Sequence, residues 1–123
     1  MKHKLHIAVV DDDRSVREAL ENLISSVGYE VDLFESAKGF LESTAIHDAA
    51  CLVLDLQMPG MSGMELQQKL RDQGRSVPII IITAHGDDNA RGKALAAGAV
   101  AFLDKPVQEQ VLLGAINSAI GKS

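Results

Sequence analysis

The chain has 123 residues, a formal net charge of −5 at pH 7 and 46% hydrophobic residues, a composition typical of one globular domain. Its basic residues are scattered and aromatic residues make up only 3%, so the sequence does not predict direct nucleic-acid binding. No apolar stretch approaches the roughly 20 residues that cross a bilayer, and acidic residues 11–13 follow the first apolar run where a signal peptide would have small residues. The single cysteine, Cys51, cannot form an internal disulfide, which favours a reducing cytoplasm.

Strand-like and helix-like patterns alternate along the chain. The apolar spacing of the first helix includes Val27, and Val111, Ala115 and Ala119 form one stripe of the last helix. The predicted elements are a strand over Leu5–Val10, a helix over 14–27, a strand over 29–34, a helix that begins after Ser36, a strand over 51–55, a helix from the capping box Ser62–Glu65 to Gln73, a strand over 77–83, a helix over Ala90–Ala97, a strand over 100–104 and a last helix after Pro106.

These elements form five strand–helix units, and the strands are continuously apolar except for the second, in which polar and apolar residues alternate as in a half-covered strand. This pattern predicts an α/β fold: a five-stranded parallel sheet with five helices that cover both faces. With the strand order 2-1-3-4-5, polar residues gather at one edge of the sheet, where ligands of such folds bind. Residues 1–123 are expected to form a single domain.

Five polar residues lie at or just after predicted strand ends: Asp11, Asp12, Asp55, Thr83 and Lys105. Converging carboxylates repel each other unless a cation lies among them, and their hard oxygens suit Mg²⁺. A lysine supplies positive charge for a phosphoryl group, a threonine supplies a hydroxyl donor, and an aspartate can attack phosphorus. The residue types therefore predict that Asp55, in "VLDLQMPGMSG", is a nucleophile presented beside a metal.

Three of these residues also have a purely structural interpretation. Asp55 alone would serve as a turn residue before "QMPG", Lys105 as a solvated surface lysine, and Thr83 as an ordinary strand residue. Asp13 is expected to favour the start of the first helix through the helix dipole rather than to ligate a metal. The combination of four segments in order favours the site.

Four motifs, "VVDDD…R", "LVLDLQMPGMSG", "IIIITAH" and "AGAVAFLDKP", resemble the receiver domain of two-component response regulators over essentially the whole chain. The amino-acid sequences of the last two motifs are most similar to those of the FixJ-like group of receivers. The resemblance implies a flavodoxin-like receiver fold in which Asp55 is the phosphoacceptor. It also implies that Asp12 ligates Mg²⁺ or Mn²⁺ directly, that Asp11 does so through water, and that the backbone carbonyl of Gln57 completes the protein ligands.

The resemblance gives further residues a role. Lys105 would contact the phosphoryl oxygens, Thr83 would move toward them, and Phe102 would be the aromatic switch residue, although a buried Phe in a strand is otherwise an ordinary core residue. Gln57 and His85 are expected to tune the lifetime of the phosphoryl group. The peptide bond before Pro106 is expected to be cis.

The implied role is signalling rather than enzymatic. A sensor histidine kinase would donate the phosphoryl group, and the domain would assist its own phosphorylation and dephosphorylation. The face formed by the fourth helix, the fifth strand and the fifth helix would then change by a population shift, with the glycine-containing fourth helix as the mobile element. This face would control a homodimer or an output domain, expected to be DNA-binding and transcriptional, beyond this chain; a stand-alone cytoplasmic receiver is the alternative.

Three competing classes have weaker support from the residues. A haloacid-dehalogenase-like phosphatase also uses an aspartate nucleophile and Mg²⁺, but it needs a second aspartate where this chain has Gln57. A flavodoxin-like flavin binder needs a phosphate loop after the first strand, where "DDDR" would repel a phosphate in the absence of a metal. A degenerate receiver that binds partners without phosphorylation would lack a site residue, and none is missing.

Overall fold

The structure is a computed structural model that describes residues 4–84 and 86–121. Strands and helices alternate, except that two short helices lie between the second and third strands. The elements are β1 (His6–Val10), α1 (Arg14–Ser25), β2 (Glu30–Phe34), α2 (Ala37–Leu41), α3 (Ala45–Asp48), β3 (Ala49–Asp55), α4 (Gly63–Asp72), β4 (Ile79–Thr83), α5 (Asp88–Ala96), β5 (Ala101–Asp104) and α6 (Glu109–Ala119).

The strands form one parallel sheet in the order β2-β1-β3-β4-β5, which confirms the predicted topology. The described residues contain six helices rather than the five predicted. The additional helix, α3, has only four residues, and its N-cap residue Thr44 makes no side-chain capping bond. A single turn of this kind gives neither an apolar period nor a capping signal in the sequence.

Alternate strand residues face opposite sides of the sheet, and each side has its own apolar core. On one side, α1 and α6 close the core through Leu20, Ile24, Leu112 and Ile116. On the other side, α2, α3, α4 and α5 close it. Both faces are covered as predicted, so polar chemistry is left to the ends of the strands. No helix in the described ranges is both long and apolar enough to cross a membrane.

Side-chain caps fix the starts of several helices where the sequence predicts them. Ser62 accepts a hydrogen bond from the backbone N–H of Glu65, and the Glu65 carboxylate accepts one from the backbone N–H of Ser62, so the capping box is confirmed. The side chains of Asp13 and Ser36 likewise accept backbone N–H hydrogen bonds at the starts of α1 and α2. Asp87 caps α5, which therefore begins at Asp88, two residues before the predicted start.

Two predicted apolar faces are wrong in detail. α1 ends at Ser25, and the Val27 side chain, assigned to its inner stripe, is 52% exposed. In α6 the buried positions are Leu112 and Ile116, and the predicted Ala115 and Ala119 pack beside them, whereas Val111 is 47% exposed. Adjacent residues of a helix lie about 100° apart around its axis. An apolar sequence such as "VLLGAI" therefore does not show which of two neighbouring residues faces the core.

The start of α4 packs directly against the end of β3. The backbone N–H of Gly63 donates to the carbonyl of Leu56 at 3.0 Å. A Cβ atom at Gly63 would lie 2.6 Å from the backbone oxygen of Asp55 and 2.9 Å from Cα of Leu56. Glycine is therefore required here by the close approach of two backbones.

We expect Gly63→Ala to lower the free energy of unfolding by roughly 1–3 kcal/mol, the usual cost of an overpacked contact. Gly92→Ala is the matched control, because a Cβ at Gly92 in α5 meets nothing within 4 Å. It should raise stability by about 0.5–1 kcal/mol through helix propensity. Urea unfolding of the three chains measures both effects, and equal stabilities for the native and Gly63→Ala chains would refute the packing argument.

Candidate functional site

The predicted polar residues meet at the carboxyl-terminal edge of the sheet. Asp11 directly follows β1, Asp55 ends β3, and Lys105 directly follows β5. Carboxylate oxygens of Asp11, Asp12 and Asp55 lie within 4.8 Å of one another. Because the strands are parallel, their carboxyl ends share one edge, and residues far apart in the sequence therefore form one acidic cluster.

The Lys105 ammonium lies between two of these carboxylates. Its Nζ is 2.8 Å from Asp11 Oδ2 and 3.3 Å from Asp55 Oδ2. The Lys105 side chain is 18% exposed, while the Asp11 and Asp55 side chains are 0% and 7% exposed. The backbone N–H of Lys105 donates to the carbonyl of Thr83 at 2.8 Å, so the β4–β5 ladder extends to the residue that carries the positive charge.

Backbone groups of the adjoining loops orient both buried carboxylates. The Asp13 N–H donates to Asp11 Oδ1 at 2.9 Å, and the Gln57 N–H donates to Asp55 Oδ1 at 3.1 Å. In each carboxylate one oxygen is thus fixed by the loop and the other faces Lys105. Arg17 of α1 donates from Nη1 to the backbone carbonyl of Asp11 at 2.7 Å, which ties the acidic loop to the first helix.

The environment disfavours a charge on Asp55. Burial raises the pKa of the Asp55 carboxyl above its ordinary value, and the negative charge of Asp11 adds to this effect, although the Gln57 N–H and the Lys105 ammonium oppose it. Burial by itself lowers the pKa of Lys105, but the contacts with Asp11 and Asp55 outweigh it, so the Lys105 pKa is raised. The cluster therefore favours a further positive charge beside Asp55.

The residues present fit a hard divalent cation. Asp11 Oδ2 is fully buried and accepts no hydrogen bond of good geometry within the described residues, so its interaction with Lys105 is an ion pair. Asp12 is exposed and directs a third carboxylate to the same cluster. The three carboxylates carry more negative charge than the Lys105 ammonium neutralises, and they supply the oxygen ligands that Mg²⁺ and Mn²⁺ accept.

The two predicted switch residues lie together beneath the loop that follows β4. Thr83 and Phe102 are 0% and 4% exposed. A Cβ atom at Gly86 would lie 2.6 Å from Cε1 of Phe102 and 2.8 Å from Cγ2 of Thr83, so this loop packs closely on both. The Arg91 guanidinium of α5 lies over the Phe102 ring, 5.7 Å from its centre, a cation–π contact. His85 lies outside the described residues.

A family model described as the response regulator receiver domain matches residues 7–117. This chain belongs to that family. It is therefore a receiver domain of two-component signalling, and this membership disfavours the phosphatase and flavin-binding interpretations. The Lys105–Pro106 peptide bond of the receiver is cis, as the sequence motif led us to expect.

Relatives of the receiver include transcriptional regulators. It is 46% identical over 114 residues to the response regulator protein TmoT of Ectopseudomonas mendocina, covering 93% of this chain and 52% of that protein. It is 41% identical over 120 residues to the transcriptional regulatory protein FixJ of Bradyrhizobium diazoefficiens, covering 98% and 58%. The solved structure of response regulator StyR matches with a TM-score of 0.88 and 50% identity, over 96% of this chain and 60% of that one. The chain spans about half the length of the curated relatives it matches.

Two features of the receiver site were not assigned from the sequence. Arg17 is part of the motif "VVDDD…R", but its bond to the Asp11 carbonyl was not foreseen. An apolar groove of about 480 Å³ also lies beside Lys105, and its lining includes Val16 and Ala19 of α1 and Val107 of the loop after β5. The motif could have indicated a role for Arg17. The groove could not be predicted, because it depends on how α1 packs against the loop after β5.

We expect Asp55→Asn to stabilise the receiver in metal-free buffer at pH 7, because the substitution removes a buried charge that faces Asp11. The gain should be about 1 kcal/mol, the scale of a Coulomb interaction between unit charges 4 Å apart in water. The raised pKa means that protonation of Asp55 favours the folded state. The native chain therefore recovers stability as the pH falls toward about 3.9, the ordinary Asp pKa, and the gain should shrink between pH 7 and pH 4.5.

Urea unfolding at the two pH values measures this difference, and Asp48→Asn serves as the control because Asp48 is exposed. The control should differ from the native chain by less than about 0.5 kcal/mol. An Asp55→Asn chain that is less stable than the native chain at pH 7 would show instead that the contact with Lys105 dominates.

Proposed function

We propose that Asp55 accepts a phosphoryl group from a sensor histidine kinase in a transfer that depends on Mg²⁺, and that residues 1–123 act as one receiver unit. The observation that carries this proposal is the cluster of Asp11, Asp12 and Asp55 around the Lys105 ammonium. It combines a nucleophile, oxygen ligands for a metal and a fixed positive charge. Phosphoryl transfer depends chiefly on positioning and charge neutralisation of this kind.

Each residue has a defined part in the transfer. Asp11, Asp12 and Asp55, with the backbone carbonyl of Gln57, would hold Mg²⁺ or Mn²⁺, which neutralises charge on the transferred group. Oδ2 of Asp55, which faces Lys105, attacks phosphorus and forms the P–O bond, while the P–N bond to the kinase imidazole breaks and its electron pair stays on nitrogen. The Gln57 N–H holds the other oxygen of Asp55, so the attacking oxygen stays oriented.

The phosphoryl group changes the charges that Lys105 and Thr83 face. An aspartyl phosphate carries roughly two negative charges at neutral pH. Lys105 then contacts phosphoryl oxygens, and the Thr83 hydroxyl moves toward them. The loop that carries Gly86 packs against both Thr83 and Phe102, so a movement of Thr83 changes the packing around Phe102. The predicted fourth and fifth helices are α5 and α6 of the structure, and the face that they form with β5 responds by a population shift. Gln57 and His85 tune the lifetime of the phosphoryl group.

The groove beside Lys105 is the docking surface that we propose for the kinase. A donor histidine must reach Asp55 from the open edge of the sheet, and the groove borders that edge through Lys105 and Pro106. Its other lining residues, among them Val16, Ala19 and Val107, are chiefly apolar. An amphipathic helix of the kinase, placed on this groove, would bring a histidine over the site.

The lengths of the relatives support an output domain in addition to the receiver. The matching segment covers 52% of TmoT and 58% of FixJ, and FixJ is a transcriptional regulatory protein by name. We propose that the face of α5, β5 and α6 controls a homodimer or a DNA-binding output domain in a cytoplasmic regulator. The receiver itself would act as a phosphoacceptor signalling domain, without direct contact to nucleic acid or membrane.

Incubation with acetyl phosphate and Mg²⁺, followed by intact mass measurement, tests the phosphoacceptor. The native chain should gain one phosphoryl group, and this adduct should be absent without a divalent metal and absent in Asp55→Asn. Mn²⁺ should replace Mg²⁺. Asp48→Asn, an exposed acidic control, should be phosphorylated like the native chain. An adduct of equal yield on the Asp55→Asn chain would refute the assignment of the nucleophile.

Ala19→Glu tests the docking surface, because Ala19 is exposed on α1 and lines the groove. The added charge should slow transfer from autophosphorylated kinase transmitter domains by about tenfold, equal to 1.4 kcal/mol. The rate with acetyl phosphate should be unchanged, since that donor needs no docking helix. The probe is whichever transmitter domain of a purified panel phosphorylates the native chain fastest. Equal kinase rates for the two chains would place the docking surface elsewhere.

A further inference from the structure

Helix α5 has little apolar packing to hold it. Among its nine residues only Ala94 is buried, Ala90 is partly buried against the same core, and Leu95 is 42% exposed. Helices in proteins are held mainly by burial of an apolar face, and two alanine methyl groups contribute little such burial. The position of α5 must therefore depend on a small number of other contacts.

One of these contacts is a buried hydrogen bond at the carboxyl-terminal end of α5. Gln67 of α4 is 1% exposed, and its Nε2 donates to the backbone carbonyl of Ala94 at 3.0 Å. The same carbonyl accepts the N–H of Ala99 at 3.0 Å, so the bond joins α4 to the last turn of α5. The link spans 27 residues of sequence.

Gln67 makes this link at a cost. Its Oε1 is buried and has no hydrogen-bond partner within the described residues, and a buried acceptor without a donor is unfavourable. The neighbouring inward residues of α4, Leu66 and Leu70, are apolar. An apolar side chain at position 67 would avoid the unsatisfied oxygen, so the feature that distinguishes Gln67 is its bond to α5.

The contacts at the other end of α5 are with the switch residues. The loop before α5 packs on Thr83 and Phe102 through Gly86. Arg91, in the first turns of α5, lies over the Phe102 ring and is exposed, and an exposed cation–π contact is weak. If Thr83 and Phe102 move on phosphorylation, the amino-terminal end of α5 loses or changes its contacts, whereas the Gln67 bond remains.

We propose that Gln67 is a positioning residue that fixes the carboxyl-terminal end of α5, so that α5 turns as a lever about Ala94 when Asp55 is phosphorylated. The trigger in this inference rests on the proposed function. With a rise of 1.5 Å per residue, the arm from Asp88 to Ala94 is about 9 Å long. The first turn of α5 and Arg91 therefore travel furthest, while Leu95 stays near the pivot. A partner that distinguishes the two states reads the Asp88–Arg91 surface.

Amide hydrogen exchange in the metal-free protein tests the anchor. Gln67→Met removes the bond and the unsatisfied oxygen at similar volume, and Gln68→Met on the exposed face of α4 is the matched control. The Ala99 amide, which shares the Ala94 carbonyl, should exchange about fivefold faster in Gln67→Met, the effect of losing one hydrogen bond. The control should exchange like the native chain. Gln67→Leu replaces Gln67→Met if the latter does not fold.

Beryllium fluoride with Mg²⁺, a phosphoryl analogue, tests the lever by amide chemical shifts. In the native chain the changes over Asp88–Arg91 should be at least twice those over 95–99, and in Gln67→Met the two ends should change alike. Native-like exchange at Ala99 in Gln67→Met, or equal changes at both ends of native α5, overturns the inference. If beryllium fluoride changes no shift at Asp55 or Lys105, the proposed function fails, while the metal-free exchange still decides the anchor.

Discussion

Three carboxylates held within 4.8 Å of one another at one edge of a sheet repel each other, and a single ammonium, that of Lys105, forms ion pairs with two of them. When all four groups are charged, this cluster carries two surplus negative charges. The loop N–H groups of Asp13 and Gln57 offset part of the repulsion. The fold must therefore hold the carboxylates in place against their own charge, and the rest of the structure is arranged around that requirement.

A parallel sheet buried on both faces meets this requirement. The strands β1, β3 and β4 contribute apolar residues alternately to two cores, and their backbone ladders fix where each strand ends. At those ends the apolar layers stop, so Asp11, Asp55 and Thr83 can be buried and still face a polar edge. The same strands thus provide the rigid packing inside the sheet and bring the mutually repelling carboxylates together at its edge.

The position of most residues of the candidate site was predictable, because the sequence shows where each apolar strand ends. Asp55 and Lys105 each stand at the close of an apolar run, and parallel strands bring such residues together. The less predictable features are side-chain bonds to backbone groups. Gln67 bonds a carbonyl 27 residues away, and Arg17 bonds the carbonyl of Asp11. A carbonyl has no residue-type signature, so no sequence pattern identifies such a partner. The one-turn helix α3 was not predicted either, because it has neither a helical period of apolar residues nor a side-chain cap.

Under the proposed function, the contrast between the rigid sheet and helix α5 would allow the receiver to convert a new charge on Asp55 into a conformational change. A phosphoryl group on Asp55 would alter the electrostatics over a few ångströms, and the close packing of β1, β3 and β4 would oppose a movement of these strands. α5 buries a single side chain, Ala94, and one end of it rests on Thr83 and Phe102 through the preceding loop and Arg91. A helix with so little buried surface can change position at small free-energy cost, provided that its other end stays attached. The buried amide of Gln67 meets that condition, which explains why a polar side chain with an unsatisfied oxygen stands between two leucines of α4.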